Sequence, residues 1–227
     1  MPATIDTLDR VVDAASDRRA LDGARSPIRS VTRQVAFEAG AWTPDRAAKV
    51  AALFNTMAPD WSGRHDEHHA EPLADALARG GPFPGRGRVG EVGSGTGLLT
   101  PLLAERFATV VAVEIAEGMA RLAPADVGHR LLADGAALPC AAGAFDVVVL
   151  FNAFLFPAEV DRVLCADGVL VWVSAMGDDT PIYLPAADVG AALPGRWTGV
   201  AAEAGWGSWA TFRRAGVPSA VDTRRPA

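Results

Sequence analysis

Three glycines at alternate positions separate a short apolar run from the start of a helical pattern. The apolar run Val89–Val92 is typical of a buried strand, the glycines are Gly93, Gly95 and Gly97, and a helix opens at Leu98. Glycine adopts positive φ without strain and leaves no Cβ in the path of a ligand. A helix N-terminus adds free N–H groups and a partial positive charge. A strand, a glycine turn and a helix therefore predict a nucleotide-type binding site.

Apolar runs alternate with helical stretches after this first strand. Four further candidate strands follow it, at 109–115, 130–133, 145–151 and 169–174. The run Val147–Leu150 is continuously apolar, which indicates burial on both faces, as in a parallel sheet. Two last candidates, 197–203 and 208–214, suggest an antiparallel hairpin around a glycine-containing turn. The pattern predicts a doubly wound, Rossmann-like α/β sheet of seven strands.

The N-terminal part of the chain has a different character. Apolar residues from Ile5 to Ala15 recur at helical spacing, and Thr43-Pro44 combines an N-cap residue with proline at the first helical position. A stretch rich in glycine and proline, residues 80–87, then separates this part from the sheet. We expect an N-terminal helical cap over residues 1–82 that covers the site, a core domain at 83–214, and a flexible tail at 215–227.

Composition restricts the classes of protein that this chain can belong to. Its 227 residues are 50% hydrophobic with a formal net charge of −6, which fits a folded protein and disfavours a general binder of nucleic acid or anionic membranes. No apolar run reaches the roughly 18 residues of a membrane span, and the N-terminus lacks a secretory pattern. Cys140 and Cys165 form no C-x-x-C pair. We expect reduced thiols and a cytoplasmic protein.

Three acidic residues suggest which ligand the turn holds. Glu91 lies two residues before Gly93, where it would repel a diphosphate but would suit a ligand that carries an ammonium group. Glu114, 21 residues after Gly93, is the penultimate residue of the second predicted strand and can accept bonds from both ribose hydroxyls. Asp134 follows the third strand and can accept a bond from the exocyclic amine of a base. The G-x-G-x-G spacing also differs from the G-x-G-x-x-G of dehydrogenases.

These motifs, in this order, resemble the class I S-adenosylmethionine-dependent methyltransferases, and most of all the group that includes the ubiquinone and menaquinone biosynthesis methyltransferases. The resemblance covers about residues 50–175. It rests on Glu-x-Gly-x-Gly-x-Gly from Glu91, the acid Glu114, Asp-Gly-x-x-x-Leu-Pro from Asp134, Phe-Asp-Val-Val from Phe145, and Arg-Val-Leu from Arg162. It implies S-adenosylmethionine as the cofactor and O-, N- or C-methylation of a small or medium-sized metabolite.

The resemblance also implies roles for individual residues. The cofactor would contact Glu91, Val92, Gly93, Ser94, Gly95, Gly97, Glu114, Ile115, Asp134, Gly135, Ala136, Asn152 and Ala153. Within this set, Glu91 and Gly93 would face the methionine part, Glu114 the ribose, and Asp134 and Gly135 the adenine. Asn152 and Ala153, at the mouth of the fourth predicted strand, would lie near the transferable methyl group.

Catalytic candidates on the acceptor side are His65 and Asn152. His65 opens the cluster His-Asp-Glu-His-His, in which a neutral histidine could act as a general base. The same cluster could bind a metal or form a solvated helix start. Because no second group of ligands completes a metal site, we expect none. Asn152 itself argues against the metal-dependent catechol-type mechanism, since those enzymes keep an acid past this strand.

Aromatic residues predict an apolar acceptor pocket. Trp61, Phe154 and Tyr183 are the candidates, and such a pocket suits a small or medium hydrophobic acceptor. The expected partner is a small molecule, with no nucleic acid and no membrane, and the chain is expected to be a monomer or homodimer. Three alternatives stay open: a non-catalytic protein that binds S-adenosylmethionine, another nucleotide-dependent enzyme of Rossmann type, and a nucleic-acid methyltransferase.

Overall fold

The computed structural model describes residues 3–16, 23–61, 63 and 67–216. Within these residues the chain forms one eight-stranded sheet flanked by helices. The strands in chain order are β1 Thr4–Thr7, β2 Arg88–Val92, β3 Thr109–Glu114, β4 His129–Leu132, β5 Phe145–Phe151, β6 Leu164–Ser174, β7 Trp197–Ala204 and β8 Gly207–Arg214. The α-helices are α1 Pro27–Phe37, α2 Pro44–Met57, α3 Glu71–Arg79, α4 Thr100–Arg106, α5 Glu117–Ala120, α6 Pro157–Val163 and α7 Ala186–Ala192.

The order of strands across the sheet is β1-β7-β8-β6-β5-β2-β3-β4. The chain runs from β2 outward through β3 to β4 and then crosses back to β5 and β6, and all the pairs among these five strands are parallel. The direction of winding therefore changes between β2 and β5. Ligands of open α/β sheets bind at such a switch point, outside the carboxyl ends of the strands. The predicted doubly wound, Rossmann-like α/β fold is confirmed.

Strand β5 shows why the sheet is buried on both faces. Val147, Val148, Val149 and Leu150 each have a relative exposure of 0%. Val148 and Leu150 belong to the apolar cluster on one face, and Val147 and Val149 to the cluster on the other. Because side chains alternate along a strand, a continuous apolar run supplies both faces at once.

The beginning of the chain departs from the prediction. The helix expected from Ile5 is wrong, since Thr4–Thr7 pairs in parallel with β7 and Leu8 N donates to Ala201 O at 2.8 Å. The open edge of β7 offers backbone partners that an isolated amphipathic segment lacks. This added strand raises the sheet from the seven predicted strands to eight. The boundary of the cap at residue 82 stays a prediction, as does the tail, of which residues 217–227 lie outside the described part.

Helix α2 is the element that covers the carboxyl ends of the strands. It begins after Thr43, whose side chain accepts a hydrogen bond from Arg46 N at 3.2 Å, with Pro44 at the first position. Near its other end Asn55 Oδ1 accepts from Gly118 N at 2.7 Å, which ties α2 to α5. In the described residues no helix has the length and apolar character to cross a membrane.

Candidate cofactor and acceptor site

A cavity of about 540 Å³ opens at the carboxyl ends of β2, β3 and β5. Its volume falls within the roughly 300–1,000 Å³ of small-molecule sites. The floor is the glycine turn and the residues that follow β3 and β4. The roof comes from the N-terminal helices, from the residues that follow β5 and from residues 180–182.

The glycine turn has the backbone conformation that its sequence requires. Gly93, Gly95 and Gly97 have φ of +76°, +56° and +71°, in the left-handed region that favours glycine. Gly93 N donates to Val113 O at 2.8 Å, so the turn is fixed to β3. A Cβ placed on Gly93 would lie 2.7 Å from Ala153 Cβ, which shows how tightly the turn packs against the residues after β5.

Glu114 links the glycine turn to the end of β3. Its side chain lines the cavity and is 7% exposed, with Oε2 accepting from Gly95 N and Oε1 from Ala116 N, both at 2.8 Å. Burial raises the pKa of this carboxyl, and the backbone N–H donors act in the opposite direction. Each carboxylate oxygen has a second lone pair, so each can also accept from a ligand hydroxyl.

Glu91 is the more deeply buried acid of the cavity lining. It is 3% exposed, and its Oε2 accepts from Thr100 Oγ1 at 2.6 Å. The pKa of Glu91 is raised to about 7. Burial is the largest cause, the hydrogen bond from Thr100 opposes it, and the charge of Glu114 adds to it. A carboxylate in such surroundings is stabilised by a cationic group of a ligand.

Asp134 has a partner that sequence reasoning missed. Trp42 Nε1 donates to both carboxylate oxygens, at 3.0 and 2.8 Å, and Ala136 N donates to Oδ1 at 2.8 Å. The Trp42 ring packs against Phe154 and Phe156, with centroids 5.4 and 5.1 Å away. Trp42 lies in the connection between α1 and α2, where no motif marks it.

Trp61 lies over the glycine turn. An ideal Cβ on Gly95 would be 3.8 Å from Trp61 Nε1, and the indole packs edge-on against Phe54 at 5.8 Å. The sequence predicts Trp61 as an acceptor-pocket residue. Its side chain does line the cavity, at the end formed by the turn.

Asn152 supports the backbone at the end of β5. It has a φ of +50°, its N–H donates to Val173 O at 3.0 Å, and its Oδ1 accepts from Ala175 N at 2.9 Å. Positive φ in a residue other than glycine is uncommon and often occurs at functional sites. Asn152 lines the cavity together with Phe154. Since its amide oxygen holds Ala175, the geometry favours a positioning role over the catalytic one predicted.

Tyr183 lies outside the cavity, although the sequence predicts it as an acceptor-pocket residue. Ile182 lines the cavity, whereas Tyr183 lines a separate depression together with Arg10 and Glu203. The guanidinium of Arg29 lies 4.9 Å from its ring centroid. Residues 180–182 line the cavity and residues 183–185 line the other depression, so Ile182 contributes to the wall and Tyr183 does not.

The histidine cluster divides between two environments. His68 Nδ1 lies 2.8 Å from Glu71 Oε1, and its ring packs on Trp206. His69 lines the cavity, with its ring edge-on to Phe151 at 4.8 Å. His65 falls outside the described residues, so its candidate role stays a prediction. Among the residues that are described, no three His, Cys, Asp or Glu side chains could together hold a metal ion.

Part of this chain is similar in sequence to known methyltransferases. A family model described as "Methyltransferase domain" matches residues 90–172. The trans-aconitate 2-methyltransferase of Streptomyces avermitilis is 31% identical over 133 residues, which make up 55% of this chain and 46% of that protein. The chain thus spans about half the length of this curated relative.

The fold has a solved counterpart. The structure of the DhpI–SAH complex superposes with a TM-score of 0.59 over 75% of this chain and 98% of that one, at 18% identity. At this identity the likeness concerns the fold alone. The residues that the family model matches run from β2 to β6, so this part of the chain resembles a methyltransferase domain, and its fold is similar to that of the DhpI–SAH complex.

Proposed function

We propose that this chain transfers the methyl group of S-adenosylmethionine to a small or medium-sized molecule held in the same cavity. The observation that carries the proposal is that one continuous cavity has two different halves. The floor half contains the glycine turn and three carboxylates, Glu91, Glu114 and Asp134. The roof half is built from apolar side chains of α1, α2 and the residues after β5.

The floor half fits the proposed cofactor. Glu91, a buried carboxylate with a raised pKa, would receive the ammonium of the methionine part. Glu114 would accept from the ribose hydroxyls, and Asp134 from the adenine amine, each with lone pairs left beyond the contacts already present. The left-handed Gly95 leaves the backbone open to the ligand.

The reaction requires alignment more than acid–base chemistry. The bound cofactor supplies both the methyl group and, as a sulfonium, the leaving group. The residues of the chain then contribute by holding the acceptor in line, at about 3 Å from the methyl group, and by excluding water. Asn152, by fixing the end of β5 to the end of β6, holds the backbone beside the proposed methyl position.

His69 is the candidate base for an acceptor that loses a proton. It lines the cavity against Phe151, the residue before Asn152. A positioned base typically contributes about 10²–10⁴-fold in rate. We expect His69→Gln to lower kcat at least tenfold for a hydroxyl acceptor while the affinity for S-adenosylhomocysteine stays unchanged. His68→Gln, in the same turn but directed at Glu71, is the matched control.

The cofactor part of the proposal is tested by titration calorimetry with S-adenosylhomocysteine. The wild-type chain should bind it, and Glu114→Gln should weaken binding at least tenfold, because the amide offers one acceptor oxygen instead of two. Glu117→Gln is the control, since Glu117 is exposed and pairs with Arg121. Absence of binding to the wild type would refute the proposal. Binding without turnover on any acceptor would favour the non-catalytic alternative.

The acceptor is a separate question. The curated relative is named for trans-aconitate, a small polycarboxylic acid, and trans-aconitate is accordingly an acceptor to test here. The small-molecule partner, the absence of nucleic-acid and membrane partners, the monomeric or dimeric state and the cytoplasmic location all stay predictions.

A further inference from the structure

We propose that the acceptor is an uncharged molecule with an apolar body, and that carboxylate or phosphate anions are disfavoured. This inference rests on the proposed function, because it concerns the roof half of the same cavity. Three features of the described residues support it: the wall is apolar, the nearby cationic side chains do not line the cavity, and the opposite side holds acids.

The wall is a single apolar cluster. Val50, Phe154 and Ile182 are 8%, 7% and 5% exposed and form a cluster against which Ile28, Trp42 and Phe156 pack. All six side chains line the cavity. A wall of this kind gains free energy by burying an apolar body, and it offers an anion no replacement for its lost hydration.

The cationic side chains of the helices that form the wall contact other groups of the protein. On α1, Arg33 pairs with Asp188, and Arg29 Nη2 donates to Thr180 O at 2.9 Å. None of the cationic side chains described on α1 and α2 lines the cavity.

Helix α2 shows the same arrangement. Arg46 Nη1 donates to Ala41 O at 2.7 Å, and Lys49 Nζ lies 2.8 Å from Asp45 Oδ2. The described lining includes one side chain that can carry a positive charge, His69.

The charged groups on the opposite side of the cavity are acids. Glu91, Glu114 and Asp134 line the floor. These three carboxylates outnumber the cationic groups that the bound cofactor brings to them, so an anionic acceptor would meet an excess of negative charge in a cavity that water leaves when the ligands bind. Repulsion between like charges is strongest in such a medium of low dielectric constant. An uncharged acceptor avoids this cost.

A matched pair of probes tests the inference on the protein saturated with S-adenosylhomocysteine. 2-Naphthol and 2-naphthoate have the same ring system and differ in charge at pH 7.5. Calorimetric titration should give at least tenfold tighter binding of 2-naphthol. Equal or tighter binding of 2-naphthoate would overturn the inference, and so would failure of both probes to bind.

A single substitution should change the preference. Leu53 lines the cavity and is 47% exposed, so Leu53→Arg places a cation at the wall without burying it. We expect it to strengthen 2-naphthoate binding at least threefold. Leu122→Arg is the control, because Leu122 is 55% exposed and outside the described lining. An equal effect of both arginines, or none at Leu53, would contradict the inference.

The two proposals fail in different ways. A chain that does not bind S-adenosylhomocysteine refutes the proposed function. A chain that binds S-adenosylhomocysteine and prefers 2-naphthoate leaves the proposed function intact and overturns the acceptor class alone.

Discussion

Trp42 Nε1 donates to both carboxylate oxygens of Asp134, at 3.0 and 2.8 Å. The indole ring belongs to the apolar wall, where it packs against Phe154 and Phe156. The carboxylate belongs to the floor that we assign to the cofactor. The Trp42 side chain therefore connects the two halves of the cavity. A ligand that fixes this side chain in one half should also change binding in the other half.

Removing this hydrogen bond while keeping an aromatic ring should weaken cofactor binding. Trp42→Phe deprives the half-buried Asp134 of its indole donor, and hydrogen bonds to charged groups contribute about 1.5–3 kcal/mol. We expect the free energy of unfolding to fall by about 1.5 kcal/mol and the Kd of S-adenosylhomocysteine to rise several-fold.

Trp206→Phe is the control for this change. It removes the Trp206 Nε1 bond to Ala15 O at 2.8 Å, away from the cavity. It should lower stability in urea denaturation without changing the Kd. An unchanged Kd in Trp42→Phe would show that Asp134 keeps its orientation without Trp42.

Gly95→Ala should abolish cofactor binding for a steric reason. Gly95 and Gly40 both have left-handed φ, +56° and +77°, so alanine strains both backbones by about 1–2 kcal/mol. A Cβ on Gly40 meets nothing within 4 Å, whereas a Cβ on Gly95 points into the cavity near Trp61. Calorimetry should show loss of S-adenosylhomocysteine binding in Gly95→Ala alone. Equal losses in both variants would mean that strain, and not the Cβ, is responsible.

The buried Glu91 should make the stability of the ligand-free protein depend on pH. Its pKa is raised from 4.5 to about 7, mainly by burial, so the folded protein keeps a proton that the unfolded chain loses. This contribution is complete below pH 4.5 and is lost as the pH rises through 7, by about 3 kcal/mol. In Glu91→Gln the unfolding free energy, measured by urea titration from pH 5 to 8, should fall less steeply with rising pH than in the wild type.

Cofactor binding should depend on pH in the opposite direction. An ammonium group binds the ionised Glu91, so the affinity of the wild type for S-adenosylhomocysteine should rise from pH 6 to 8 and binding should release protons. Calorimetry in buffers of different ionisation enthalpy counts these protons. Glu91→Gln should bind more weakly and release fewer, and an unaltered count would contradict an ammonium partner for Glu91.

The hydrogen bonds of Asp75, on helix α3, should affect the stability of the protein and not cofactor binding. Asp75 is 6% exposed and accepts from Arg79 Nε and from Trp209 Nε1, both at 2.7 Å. Burial raises the pKa of Asp75, but these hydrogen bonds outweigh it and the net pKa is lowered. The stabilisation is therefore present above pH 3.8 and is lost as the pH falls below it.

We expect Asp75→Asn to lower the unfolding free energy by about 2 kcal/mol at pH 7, with cofactor affinity unchanged. Asp45→Asn, which breaks an exposed pair with Lys49, should have almost no effect in the same denaturation assay. A change in the Kd of S-adenosylhomocysteine in Asp75→Asn would show that the network reaches the site.

Local sequence patterns predicted the core of the fold because each pattern follows from a requirement of burial or of backbone conformation. The continuous run in β5 can be buried only on two faces, and glycines with left-handed φ mark the turn after β2. The same reasoning located Glu114 in the cavity lining, since an acid at the end of a parallel strand lies at the switch point.

Other features depend on contacts between distant segments. Residues 4–7 form a strand because β7 offers an open edge, although their apolar spacing is helical. His68 and His69 are the same residue type at adjacent positions. Only the folded structure shows that His69 lines the cavity and that His68 contacts Glu71.

The sequence by itself determined the class of fold and the glycine turn, because these follow from backbone preferences and burial. It indicated the cofactor only through the resemblance of its motifs to those of a known family. The tertiary structure decided which side chains meet across the cavity: Trp42 with Asp134, Ile182 in place of Tyr183, and an apolar wall without a described arginine or lysine. Such pairings are set by the packing of α1 and α2 over the sheet, and no local pattern encodes the position of one segment relative to another that is 92 residues away.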